Sequence, residues 1–431
     1  MYNDLYETID NSLTDGNVGA RKDRNIGDNI FVLGAVINSV TNGAEEPIQL
    51  QVMYVEKCFE KLWLQATTNA LFEAGVTSEI LNLLFIENKL ANIAVKVSGQ
   101  LTKHVVVKYV EMQGNVWVSL KCTTTMDTLN KTILKQDHLK YKYKNNPNIQ
   151  IGVPGMVHDT LSISRCENSS DQKNSVINSF IGTQKFTLSE EEKCVMLHIG
   201  KKKKRYQQCP SLKLHKNIMK EVTSVKYLGD IISVSGMSQE SIENRRNKGW
   251  GKIAEIAGTV SEMPDMHKIE VSLKMRETKL CNGLLFNTEA WSSIKDAEYD
   301  RLEQVDTALL CQTMVSHSKC SKVFYYLEFG LLSFIHLIMI RRLMFHHHIL
   351  NRGDTELTKK VYMSQKENYL KCDWIRMLMK DFNFIEEQID EERIKSTPKE
   401  IYRKYINNKV HVGAFKYYIQ LKEKSKETEK S

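Results

Sequence analysis

The sequence predicts an α+β fold in which strands and helices mingle up to about residue 235 and a wholly helical region follows. Three observations lead there. Ile48, Leu50 and Val52 alternate with Gln49, Gln51 and Met53, the period-two signature of a half-buried strand. Residues 149–165 hold two short apolar runs on either side of His158-Asp159, the pattern of a hairpin with that pair at or near its tip. Beyond residue 239 the apolar positions recur at helical spacing, first Ile242, Trp250, Ile253, Ile256 and Val260, then Leu302, Val305 and Leu309.

Taken in order, a polar opening and a basic-polar patch at 20–25 precede a helix over 28–41, marked by Ile30, Phe31, Leu33, Val36, Ile37 and Val40. The strand at 48–55 is expected to run directly into a helix that ends at Gly75, a residue suited to the left-handed turn after a helix. A second helix is expected over 77–88, and a strand or strand pair around 105–112. Gln113-Gly114-Asn115 reads as a turn whose Asn115 caps a helix through Val116, Leu120 and Leu129. After the hairpin comes a helix over 174–186, built on Val176, Ile177, Phe180 and Ile181. Residues 194–200 and 225–233 read as strands, separated by a loop with five consecutive cations at 201–205. That loop either binds phosphate, serves as a nuclear-import signal or is simply solvated. The last ten residues are a charged, solvated tail.

Composition narrows the function classes. The 431 residues are 42% hydrophobic and 26% charged, which excludes wholesale disorder and collagen-like architecture and gives enough chain for two or three domains or lobes. Sixty Lys+Arg against 52 Asp+Glu leave a mild charge of +8, compatible with a polyanionic partner without identifying one. Nine cysteines are too dilute for a disulfide scaffold, and no two are spaced C-x-x-C for a zinc ribbon. The opening residues carry no apolar signal segment. The apolar stretch 331–340 is interrupted by Ser333 and His336 and is shorter than the ~20 residues a membrane span needs, so it reads as a buried helix. An intracellular protein, nuclear or cytoplasmic and not secreted, is expected. His346, His347 and His348 point about 100° apart on a helix and cannot converge on one ion. Neither a phosphate-binding P-loop nor a serine-nucleophile elbow occurs.

Six segments carry a family resemblance: NVGARKDRNIGDNIF at 17–31, MYVEKCFEKLW at 53–63, EMQGNVWVSLKC at 111–122, GMVHDTLSI at 155–163, KCVMLHIG at 193–200 and KYLGDII at 226–232. No single string is decisive, but in this order and spacing they resemble the reverse transcriptase domain of a non-LTR, jockey-like retrotransposon, over roughly residues 1–350. The resemblance implies a right-hand polymerase: a fingers remnant at 1–47, a palm with an antiparallel sheet at 48–235 and a helical thumb at 236–350. A helical extension with the charged tail would follow at 351–431. It also implies RNA-directed DNA synthesis with an RNA template and a DNA primer as partners, and neither a membrane nor a small-molecule cofactor. Met1 would fall inside the fingers, so the family's upstream endonuclease is expected to be absent.

Nucleotide addition in this family uses two Mg²⁺ ions, held by carboxylates because a hard cation wants oxygen ligands. The resemblance places those carboxylates at the positions of Tyr54, His158 and Asp159, and only Asp159 keeps one, which leaves it as the sole metal-ligand candidate. A phenol ordinarily ionises only near pH ~10, and imidazole suits softer metals. Glu56 and Glu60 are not expected to substitute, Glu56 because it would lie on the first turn of a helix that points elsewhere. Mg²⁺ is therefore implied by the family but not expected to bind productively, and the chain is expected to be inactive.

Other positions follow from the same resemblance. Phe59 would pack against the incoming sugar, or else be a core residue. Gln113 and Gly114 would open the helix beside the template–primer, or form a plain capping turn. Arg21 and Lys22 would contact phosphates, Lys193 would lie near the triphosphate, and Tyr227 and Gly229 would belong to the hairpin that holds the primer end. Two alternatives to an enzyme stand beside this reading, a non-catalytic nucleic-acid binder and a decaying retroelement fragment. The lost ligands and shortened fingers favour the fragment over the binder.

Overall fold

Among residues 2–89, 92–106, 117–143, 146–157, 159–165, 167–189, 194–200, 213–214, 217–237, 239–292, 294–315, 320–368 and 372–428, which the computed structural model describes, strands and helices alternate up to Ser233, and helices alone follow from Gln239. The chain is mixed α/β, rich in helix, with a small mixed sheet. It divides into two compact units. One comprises Met1–Asn29, Ser39–Leu228 and Ser233–Ser235, the other Ile30–Asn38, Gly229–Ile232 and Gly236–Ser431.

The first unit is organised around the strand Ile48–Tyr54. It lies at the centre of a five-stranded sheet, between Val195–Ile199 on one side and Asp159–Ser164 on the other, antiparallel to both. The short edge strand Lys220–Glu221 runs parallel to Val195–Ile199, so the sheet is mixed rather than purely antiparallel as expected. At the opposite edge Gly155–Met156 folds back on Asp159–Ser164, with Gly155 opposite Thr160 and Met156 opposite Asp159, which is the expected hairpin. A Cβ on Gly155 would meet the Asp159 carbonyl at 2.8 Å, so this crossing requires glycine.

The central strand departs from its expected half-burial. Leu50 and Gln51 are both fully buried, and they point to opposite faces. Part of the polar face is paired internally, although Gln51 Oε1, Ser162 Oγ and Ser164 Oγ are buried without a hydrogen-bond partner among the described residues. Gln49 Nε2 lies 3.1 Å from His198 Nε2, Gln51 Nε2 donates to Ser170 Oγ at 2.9 Å, and Ser170 Oγ donates to Gln49 Oε1. Ser170 comes from the helix Glu167–Gln184, which begins seven residues before the expected 174. Its first turns, ENSSDQK, contain no apolar residue, and Ser170 and Lys173 turn inward, so apolar periodicity could not reveal them. Further along the same face Met53 and Met196 join Met126, Ile133, Ile177 and Ile181 in an apolar core under the helices Val118–Lys135 and Glu167–Gln184.

The strand does not run straight into a helix. Residues 56–61 form turns, Lys57 sits in the left-handed region at φ +49, and the helix is confined to Leu64–Glu73. The Glu56 N–H donates to the Thr187 carbonyl at 2.8 Å, which draws the backbone away from a helical path. The helix ends as expected at Gly75, φ +93. The Gly75 N–H bonds the Phe72 carbonyl and the Val76 N–H bonds the Leu71 carbonyl, the paired closure that a left-handed residue permits. Asn115 and most of the expected 105–112 strand lie outside the described residues.

The second unit is a helical assembly. Phe31 packs edge-on against Phe345 and Trp374, with ring centroids 5.7 and 5.0 Å away. Two fully buried ion pairs cross-link its helices: Arg276 grips both oxygens of Asp306 at 2.6 Å, and Arg342 Nη1 meets Asp381 at 2.7 Å. The stretch 331–340 leads into the helix Phe334–Leu350, and no helix among the described residues is long and apolar enough to cross a membrane. The three histidines diverge: His346 Nε2 meets the Tyr362 hydroxyl, His347 Nε2 the Thr397 carbonyl and His348 Nε2 the Arg352 guanidinium.

Candidate site at the end of the central strand

The central strand ends on Tyr54, and the neighbouring strand begins on Asp159. Antiparallel register sets them directly opposite each other, after Leu50↔Ile163 and Val52↔Leu161 on the same face. Directly opposed residues hold their Cβ atoms about 4.5–5.5 Å apart, so the phenol and the carboxylate share one spot. Leu50, Leu161 and Ile163 are sealed, whereas Tyr54 and Asp159 are half-buried, so the face opens towards solvent only at this end.

The hairpin is held in place from behind. The Val18 N–H donates to the Gly155 carbonyl at 3.2 Å, and Asn29 Nδ2 reaches the Gly16 and Gly155 carbonyls at 3.2 and 3.1 Å. Asn130 Oδ1 accepts from the Val153 N–H at 2.7 Å, and its Nδ2 donates to Thr14 Oγ1 at 2.6 Å. Thr14 in turn bonds Asp127, whose carboxyl burial pushes above the ordinary carboxylate range.

A third side chain, and a second ring, joins the pair. Tyr227 is buried, and its hydroxyl donates to the Pro154 carbonyl at 3.2 Å. Burial, and then the nearby Asp159 charge, push its phenol well above the ordinary range, so it remains a neutral donor. On the other side of the strand end the Cys194 thiol lies 3.8 Å from the Tyr54 carbonyl, and burial raises it. Neither the Pro154 carbonyl nor Cys194 stood out in the sequence, since a backbone acceptor and a lone core thiol leave no pattern.

The two carboxylates nearest in sequence are turned to other tasks. Glu56 pairs with Lys61 at 3.1 Å within the turn, not on a helix as expected, and Glu60 is exposed. Among the described residues no group of three or more His, Cys, Asp or Glu side chains could hold a metal. The strand end thus offers one carboxylate, one half-buried phenol and one buried phenol.

The remaining predicted positions scatter in character. Arg21 is spent on the chain itself: Nε meets Asp10 Oδ1 at 2.7 Å, Nη1 donates to the Thr14 and Asn17 carbonyls, and Nη2 donates to the Asp10 carbonyl. Its side chain is 4% exposed, so reaching a phosphate would mean breaking this brace. Lys22 is exposed. Phe59 is half-buried and packs against the apolar core of the first unit. Gly229, at φ +90, follows Leu228 at φ +47, the two left-handed residues of a tight two-residue turn, and a Cβ there would press on Phe286 at 3.0 Å. Gln113, Gly114, His158, Lys193 and the cationic loop 201–205 lie outside the described residues.

No protein-family model and no curated protein matches the sequence. Solved structures that resemble the chain include apo telomerase from Candida tropicalis, with a TM-score of 0.41 and 10% identity over 94% of this chain and 60% of that one. Telomerase from Candida albicans in complex with a fragment of telomeric RNA gives 0.40 and 10%, over 76% of this chain and 54% of that one. Apo Candida tropicalis telomerase truncated from its C-terminal domain gives 0.37 and 12%, over 54% and 44%. The chain therefore spans about half the length of these structures.

Proposed function

We propose that the chain is a reverse-transcriptase-like protein derived from a non-LTR retrotransposon, with fingers remnant, palm and helical thumb, that handles nucleic acid without adding nucleotides. The observation that supports this reading is the register pair Tyr54↔Asp159 at the open end of an otherwise sealed sheet face. A strand-end position opposite a hairpin aspartate is where a polymerase palm needs a second carboxylate, and here it holds a phenol.

The donor set does not fit a pair of Mg²⁺ ions. Two such ions about 3.5–4 Å apart need several anionic oxygens between them, and a single carboxylate beside two phenols supplies neither the charge nor the bridging atom. No step of nucleotide addition is therefore assigned to these residues. An RNA template paired with a DNA primer is the partner this architecture suits, with the exposed Lys22 as one phosphate contact.

Primer extension on an RNA template, with Mg²⁺ and separately with Mn²⁺, tests the reading. No incorporation is expected from the protein as it stands, and robust synthesis would overturn the assignment. Tyr54→Asp combined with His158→Asp is expected to restore measurable synthesis. Binding to an RNA–DNA duplex should weaken as salt rises, and salt-independent affinity would rule out a phosphate-driven complex.

A further inference from the structure

Two thiols of the first unit meet in its core and take no part in the strand-end site. Cys58 lies in the turn that follows Tyr54, and Cys122 lies on the helix Val118–Lys135. Their side chains are 2% and 0% exposed, and their Sγ atoms stand 2.9 Å apart across a sequence separation of 64 residues. That is well inside the spacing at which unbonded sulfurs rest. A disulfide needs about 2.05 Å, so closure requires under ~1 Å of relative movement. The surroundings are apolar, with Leu62, Met126 and Leu129 in the same cluster, and no third ligand completes a metal site among the described residues.

We propose that Cys58 and Cys122 are an oxidative modification site, which closes to a reversible disulfide when the chain meets hydrogen peroxide and pins the turn after the central strand to the helix Val118–Lys135. One sulfur attacks a peroxide oxygen and becomes a sulfenic acid, releasing water. The second sulfur attacks the first, its proton leaves with the displaced hydroxide as a second water, and the S–S bond forms. Two thiols and one peroxide give one disulfide and two waters; each sulfur loses one electron and the peroxide gains two. Burial favours a small oxidant over a bulky disulfide. The contact with Cys58, and then burial, hold the Cys122 thiol well above its ordinary range, so that thiol is a slow nucleophile at neutral pH.

The test is a thiol map of the full chain. The folded protein is treated with hydrogen peroxide, denatured, alkylated with iodoacetamide and digested with trypsin without reduction. Cleavage after Lys57, Lys61, Lys121 and Lys131 isolates Cys58 in residues 58–61 and Cys122 in residues 122–131. The expected product is these two peptides linked, two hydrogens lighter than the free pair and released by dithiothreitol. The exposed Cys320 reports that the oxidant has acted. Oxidation is also expected to raise the thermal midpoint of the unaltered chain and to leave that of Cys58→Ser unmoved. Recovery of both peptides fully alkylated while Cys320 is oxidised would overturn the proposal, as would linkage of either cysteine to a different partner. Should Cys58→Ser fail to fold, the peptide map of the unaltered chain decides by itself.

Discussion

Replacing Lys173 with Met should remove a pH dependence of stability that the first unit otherwise carries. Lys173 is 1% exposed, on the helix that covers the polar face of the sheet, and its ammonium donates to the Ile163 carbonyl. Burial pulls its pKa from 10.5 down to about 7. In the unfolded chain the side chain binds its proton up to about pH 10.5, whereas in the folded chain it releases it from about pH 7. The unfolded state therefore holds more protons across that window, so stability rises with pH from about 7 to 10.5 and is lost again as pH falls through 7. A shift of this size corresponds to at most roughly 5 kcal/mol, at about 1.36 kcal/mol per pH unit. Lys173→Met keeps the length and apolar stem of the side chain and forgoes one hydrogen bond from a charged donor, worth about 1.5–3 kcal/mol. The variant should accordingly be more stable by a few kcal/mol near neutral pH, with a flat profile between pH 7 and 10. The assay is urea denaturation at a series of pH values, with pulsed hydrogen exchange on Ile48–Tyr54 to read the first unit separately. A slope that survives unchanged in Lys173→Met would refute the reasoning.

Three further outcomes are expected. Gly155→Ala drives a Cβ to 2.8 Å from the Asp159 carbonyl and should lower stability by about 1–3 kcal/mol, read as a lower thermal midpoint and faster exchange in the hairpin. Arg276→Ala leaves the fully buried Asp306 without its bidentate partner, at a cost of about 3–5 kcal/mol, and Arg276→Met with Asp306→Leu should recover most of that in chemical denaturation. Arg21→Ala removes a charge-assisted brace and should cost about 2 kcal/mol or more in melting experiments, whereas Lys22→Ala should leave the melt unchanged and reduce the salt slope of RNA–DNA binding.

The parts of the fold that could be read from the sequence are those where burial and periodicity coincide. The central strand, the hairpin around residue 158 and the helices after 239 all present apolar residues at regular spacing to a core. Legibility fails where polar side chains turn inward. Gln49 and Gln51 read as the wet face of a strand because their partners, Ser170 and His198, are far away in sequence. The helix turns that supply Ser170 and Lys173 contain no apolar residue to mark them. The break after Tyr54 was equally hidden, since a left-handed Lys57 carries no sequence signature, whereas the left-handed Gly75 does. At the site, Tyr54 and Asp159 could be paired in advance only through the order and spacing of the six family-like segments, since periodicity does not mark Tyr54 as the end of its strand. Arg21 could not be recognised as a brace, because its four hydrogen bonds go to Asp10, Thr14 and Asn17, three of them to backbone carbonyls, which leave no sequence pattern.

A phenol rather than a carboxylate at the end of the central strand separates what the fold needs from what a two-metal chemistry would need. Tyrosine suits a strand, and a neutral ring opposite Asp159 avoids setting two like charges across adjacent strands. Tyr54→Asp should therefore destabilise the metal-free chain by about 0.5–1 kcal/mol through repulsion of Asp159, even though it supplies a second carboxylate for a cation. If the pair then forms a cation site, millimolar Mg²⁺ should raise the variant's thermal midpoint, because any ligand that binds only the folded state stabilises it. The unaltered chain should show no such response. A Tyr54→Asp midpoint that ignores Mg²⁺ would mean that register alone does not bring the two side chains into a common ligand sphere, and that the identity of residue 54 is not what keeps a cation from this strand end.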